Sequence, residues 1–125
     1  MLYLGSHVRY FYYNKIVDMR KGCYGLCGLV NNEMKRDLFT GDVFVFMNRR
    51  HNKIKLLQWD NDGFALYEKR LEKGTYELPG KAENSTHVTL NNIELQYIIQ
   101  GVLLQSVRRK KRYEHTSQIC ANTAF

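Results

Sequence analysis

The sequence predicts an α+β fold: a single domain in which an antiparallel β meander packs with two α-helices. Three observations carry this prediction. Two stretches repeat apolar residues at helical spacing, and three apolar runs between residues 43 and 71 are separated by turn residues. No apolar run approaches the roughly 18 to 20 residues that a membrane span needs. At 125 residues and 44% hydrophobic content, one core is affordable and two would be crowded.

The elements follow in order. "RYFYY" (residues 9–13) is aromatic-rich and reads as a strand, with a turn near Asn14-Lys15. Asp18 then stands where a helix N-cap would, and Met19, Cys23, Leu26, Val30 and Met34 form one helical face. A stop at Lys35-Arg36-Asp37 places cations in the last turn, which suits the helix dipole. Thr40-Gly41-Asp42 turns the chain into "VFVFM" (43–47), a continuous apolar strand. "NRRHNK" connects it to "IKLLQW" (54–59), "DNDG" (60–63) is a second hairpin signal, and "FALYEKRL" (64–71) closes the meander. Glu72-Lys73-Gly74 turns once more, into "TYELP" (75–79). After the polar stretch 80–87 comes the short strand "VTL", and Asn91 with Glu94 makes an N-cap and N3 pair. Leu95, Ile98, Ile99, Val102 and Leu103 form the stripe of a core-facing helix. The order is β-α-β-β-β-β-α. The domain runs over residues 1–107, and 108–125 is a basic, flexible C-terminal tail.

Charge narrows the function. The net charge is +7, of which the tail, with five cations and one anion, holds +4. Such concentration favours a polyanionic partner, most simply nucleic acid. The amino terminus lacks the basic start and long apolar stretch of a signal peptide. The three cysteines, Cys23, Cys27 and Cys120, are an odd number, which fits reduced thiols in a cytoplasmic protein.

The motifs divide into chemistry and packing. Gly22, Gly25 and Gly28 stand three apart behind Arg20 and Lys21, a spacing that fits neither a P-loop nor a dinucleotide fingerprint. A short phosphate clamp on Gly22–Gly25 is one reading; a helix whose small residues admit a close neighbour is the other. Asp60 and Asp62 lack the later ligands of an EF-hand and read as turn residues, while Cys23 and Cys27 lack two further zinc ligands. No metal, cofactor or catalytic constellation is expected, so no enzyme is predicted. The richer signal is the hairpin, where Arg49, Arg50, His51, Lys53 and Lys55 crowd one β-ribbon. A two-stranded ribbon of this kind lies well along a phosphate backbone. Lys69, Arg70 and Lys73 extend that surface, with Arg20, Lys21 and the run Arg108, Arg109, Lys110, Lys111 and Arg112 in support.

Taken together, "DMRKGCYGLCGLV", "GDVFVFMNRRHNKIKLLQWDNDGFALYEKRLEKGTYELP" and "LNNIELQYIIQGV" resemble the TnpB-like accessory protein encoded by the second reading frame of bacterial insertion sequences of the sixty-six type. The resemblance spans residues 9–102 and is densest from the basic tip to "KRLE.G". It implies a helper in transposition, encoded beside a DDE transposase and another small accessory protein, with DNA binding the usual supposition. One departure stands out: where the family pattern reads aromatic-Asp-Gly-Leu, this chain has Cys23-Tyr24-Gly25-Leu26. The leading expectation is a non-enzymatic transposition factor that binds DNA through its basic hairpin. The alternative is a protein–protein adaptor that docks the transposase through "RYFYY" and the meander edge without touching DNA.

Overall fold

The computed structural model describes residues 5–79 and 86–101. Its elements are β1 (Tyr10–Tyr13), α1 (Cys23–Leu29), a π-helical turn (Val30–Met34), β2 (Val43–Met47), β3 (Lys53–Asp60), β4 (Gly63–Arg70), β5 (His87–Leu90) and α2 (Asn92–Gln100). The element order is the expected one, and the class is α+β. The tail, with Arg108, Arg109, Lys110, Lys111 and Arg112, lies outside the described residues. Among the described residues, no helix is long and apolar enough to cross a membrane.

The five strands form one sheet in the order β4-β3-β2-β1-β5. β2, β3 and β4 are the antiparallel meander, but β1 pairs with β2 in parallel, Phe11 facing Phe44. β5 then closes the far side of β1 antiparallel, with Tyr10 opposite Leu90 and Tyr13 opposite His87. A parallel neighbour needs a crossover, and α1 supplies it.

Strand alternation divides the core in two. Tyr10, Tyr12, Val43, Val45, Met47, Ile54 and Leu56 point to one face, where Leu95 and Ile98 of α2 cover them. Phe11, Tyr13, Phe44, Phe46 and Leu57 point to the other, beneath Leu26, Val30 and Met34. With a helix on each face and a strand on each side, β1 is buried throughout. The expected docking strand "RYFYY" is therefore the inside of the sheet, and its aromatic residues serve the core.

Two local expectations are corrected. Asp18 does not cap α1, because its carboxylate is taken by the backbone N–H and guanidinium of Arg20; the helix starts later, with Gly22 as N-cap. Its glycines do not admit a neighbouring element. A Cβ at Gly22 would meet nothing within 4 Å, one at Gly28 only Asn32 at 4.0 Å, and one at Gly25 only the Lys21 side chain at 3.2 Å. Residues 75–79 follow Glu72-Lys73-Gly74 as irregular chain; the Tyr76 N–H donates to the His51 carbonyl at 2.7 Å, and its buried ring joins the core of the α2 face.

The C-terminal helix forms as its caps dictate. The Asn91 side chain accepts from the Glu94 N–H at 2.8 Å, and the Glu94 carboxylate accepts from the Asn91 N–H at 3.0 Å. Gly101, at φ +88°, ends it in the left-handed region that glycine enters without strain. The expected stripe residues Val102 and Leu103 lie outside the described residues.

Candidate functional site

The β2–β3 connection is built by one side chain. Asn48 accepts at Oδ1 from the N–H groups of Asn52 and Lys53, both at 3.1 Å, and donates from Nδ2 to Asn52 at 2.7 Å. His51 takes φ +56° to close the turn. With the polar groups of Asn48 and Asn52 directed inward, Arg49 and Arg50 are exposed at the tip. Neither has an ion-pair partner among the described residues.

The sheet register adds neighbours. Lys53 lies opposite Arg70 and Ile54 opposite Lys69, so the end of β4 stands beside the base of the tip. The chain after β4 returns to the same place: the Leu71 N–H donates to the Asn52 carbonyl and that of Tyr76 to the His51 carbonyl. Lys73 lies on the loop between these two attachments. Successive strand residues face opposite ways, so Arg70 shares the α1 face with Lys53 while Lys69 lies on the α2 face. The exposed cations thus wrap the end of the ribbon.

Not every candidate cation is free. Lys53 donates to Glu68 at 2.7 Å, and that hydrogen bond holds the Glu68 carboxyl below its ordinary range, with help from Lys55. Arg20 is strongly exposed but closes on Asp18 at 2.6 Å, and its hydrogen bonds draw the Asp18 carboxyl down to about 2. Lys55 departs furthest from expectation. Its side chain is only 6% exposed, and its ammonium donates at 2.8 Å to the carbonyl oxygens of both Met19 and Lys21. That places Lys55 as an internal clamp rather than a phosphate contact. A charge enclosed in the sheet is tolerable because it is hydrogen-bonded and has Glu68 at 3.8 Å.

The clamp has a spatial result. It fastens the segment that carries Arg20 and Lys21 against β3, on the same face as Lys53 and Arg70. Two basic motifs that lie about thirty residues apart in the sequence are thereby brought to one end of the ribbon. The tip, Lys69, Arg70, Lys73 and Lys21 are the exposed, unpaired cations of this region among the described residues, whereas Arg20 and Lys53 are paired and Lys55 is enclosed. The clamp itself was missed by sequence reasoning. Its signal is alternation: Lys55 occupies the same face as Leu57 and lies opposite buried Phe46.

Other polar groups of the chain are committed elsewhere. Asp42 is buried and holds Arg9 through two bonds, of 3.0 and 2.9 Å. Among the described residues, no group of three or more His, Cys, Asp or Glu is arranged to hold a metal ion. Cys23 and Cys27 are free thiols, and burial, followed by the neighbouring Cys23, pushes Cys27 up to about 11.

Comparison with known proteins places this arrangement in a family. The uncharacterized protein y4jC of Sinorhizobium fredii is 32% identical over 94 residues, covering 75% of this chain and 79% of the relative. The uncharacterized protein y4hO of the same organism is 30% identical over 102 residues, covering 82% and 87%. No solved structure matches. A family model described as "IS66 Orf2 like protein" matches residues 8–109, which include the clamp, the hairpin and all five strands. The chain therefore belongs to the IS66 Orf2-like family, the transposition accessory proteins of that type of insertion sequence.

Proposed function

We propose that the protein is a non-enzymatic accessory factor that binds DNA through the basic end of its β-ribbon, in the cytoplasm and alongside the DDE transposase and second accessory protein of its element. The observation that carries this reading is the convergence of Arg49, Arg50, Lys69, Arg70 and Lys21 on one end of the sheet, without ion-pair partners among the described residues. Cations free of internal partners can release counterions from phosphates, whereas paired ones gain little by exchange. Contacts of this kind position a protein on the duplex and carry little base information.

The rival reading, an adaptor docked through residues 9–13 and the meander edge, keeps only the second of those surfaces, because β1 is buried while β4 is an exposed edge of the sheet. Salt-dependent binding to insertion-sequence ends and to a random duplex tests the DNA reading. For the Arg49→Ala/Arg50→Ala variant, the slope of log affinity against log salt is expected to fall by about two, with affinity reduced alike on both duplexes. Absence of binding to either duplex at low salt would overturn it.

A further inference from the structure

The opposite end of the same ribbon has a different chemistry. There the rings of Phe39, Trp59 and Phe64 meet one another, with centroids 4.9 Å apart for Phe39–Trp59, 5.0 Å for Trp59–Phe64 and 5.9 Å for Phe39–Phe64. Two of the three pairs are edge-to-face, at 77° and 71°. Phe39 is 61% exposed, and Trp59 and Phe64 are only half-buried. An aromatic cluster open to water is costly, and such patches mark interaction surfaces.

Its surroundings are acidic. Asp37 lies two residues before Phe39 and accepts its backbone N–H at 3.0 Å. Asp60 follows Trp59 directly, and Asp62 sits in the turn that leads to Phe64. All three aspartates are exposed, and none has an ion pair among the described residues. Of the cations nearest in sequence and strand register, Arg9 is bound to Asp42 at 2.9 Å and the Arg36 guanidinium lies 4.1 Å above the Phe11 ring, while Lys35 is exposed on the far side of Arg36 in sequence. Aromatic faces attract cations, and unpaired carboxylates around them add to the attraction while repelling phosphate.

We infer that Phe39, Trp59 and Phe64, with Asp37, Asp60 and Asp62 around them, dock a cationic polypeptide segment, its Lys or Arg side chains lying on the rings. This surface is separate from the basic one. β3 runs from Lys53 to Asp60, so the two lie roughly 23 Å apart along the strand. The inference does not rest on the DNA reading, and a partner held here leaves the hairpin tip open.

Trp59 is the single tryptophan of the chain, so its emission reports on this surface alone. Titration of the full chain with octa-arginine peptide is expected to change Trp59 emission saturably and to weaken with salt, while octaglutamate and oligothymidylate leave it unchanged. Phe39→Ala should weaken the peptide by roughly 3- to 30-fold. Asp60→Asn/Asp62→Asn, at exposed positions that leave the cluster intact, should weaken it and flatten its salt dependence. Arg49→Ala/Arg50→Ala should bind the peptide as wild type does, whatever becomes of its DNA binding. Three results would each overturn the assignment: no saturable change at millimolar peptide, unchanged affinity in both surface variants, or a response to oligothymidylate that Phe39→Ala removes.

Discussion

The Lys55 ammonium donates to the backbone carbonyl of Lys21 at 2.8 Å, so a lysine of β3 holds in place the loop that leads into α1. The bond joins a charged donor to a neutral acceptor inside the fold, and the Met19 carbonyl shares that donor. Replacing Lys55 by Met keeps the apolar stem and removes the donor. The expected loss is about 1.5–3 kcal/mol of stability, since bonds to charged groups carry that weight. Urea unfolding with an unchanged m-value checks it. Arg49→Ala/Arg50→Ala should differ from wild type by less than about 0.5 kcal/mol, as surface changes do.

A second pair joins the residue before β2 to the residue before β1. Asp42 is buried, while the Arg9 side chain that grips it is 59% exposed. Removing Arg9 leaves a buried carboxylate with less compensation; removing Asp42 leaves a cation already near water. Arg9→Ala is therefore expected to cost about 1–2 kcal/mol, reduced from the value of a fully buried pair by solvent screening. Thermal melts of Arg9→Ala, Asp42→Ala and the double variant would show a coupling energy of the same order.

Gly28 lies inside α1, and a methyl group there has open space around it. Gly28→Ala should stabilise the protein by about 0.5–1 kcal/mol, because glycine surrenders more backbone freedom in a helix than alanine. Gly25→Ala should gain less, since its Cβ would meet the Lys21 side chain at 3.2 Å. Chemical denaturation of the two variants side by side separates the cases.

Acid should loosen the β5 side of the sheet. Burial, followed by the Arg36 charge, lowers the pKa of His87 below its ordinary 6.5. A lowered value means the unfolded chain takes up the proton first as pH falls. Stability is then full above 6.5 and declines below it until the folded protein is protonated as well. The melting temperature should fall as the pH is lowered through 6.5, and His87→Gln should flatten that fall.

Much of the fold is legible in local chemistry. The capping pair of α2 with the first part of its stripe, Leu95 and Ile98, the hairpin signals and the apolar run of β2 all depend on residues close in sequence, and each formed where its pattern stands. The "DNDG" turn is displaced by one step: Asn61 takes the left-handed conformation and Gly63 opens β4. What local pattern hides is partnership across the chain. Nothing within "RYFYY" says that β2 will lie beside it in parallel or that β5 will cover its other side. Asp18 has the chemistry of an N-cap but lies two residues from Arg20, and the charged partner prevails over the helix end. Lys55 reads as one more cation of a basic ribbon until the register shows it among Phe46 and Leu57. Of the candidate site, the tip was readable because its cations are consecutive; the acidic aromatic end draws on residues 37–39 as well as the β3–β4 turn.

The position of β1 also has a consequence for how the chain assembles. Its two neighbours come from very different distances, β2 some thirty residues away and β5 nearly eighty. During synthesis the β2–β3–β4 ribbon can zip up from adjacent hairpins, and β1 can then dock on β2. Until residues 87–90 emerge, however, the four aromatic residues of β1 form an unpaired edge rich in exactly the side chains that seed association between chains. A reading frame interrupted before β5 should therefore yield an aggregating product rather than a shortened working one, which makes this small protein an all-or-none product of its gene.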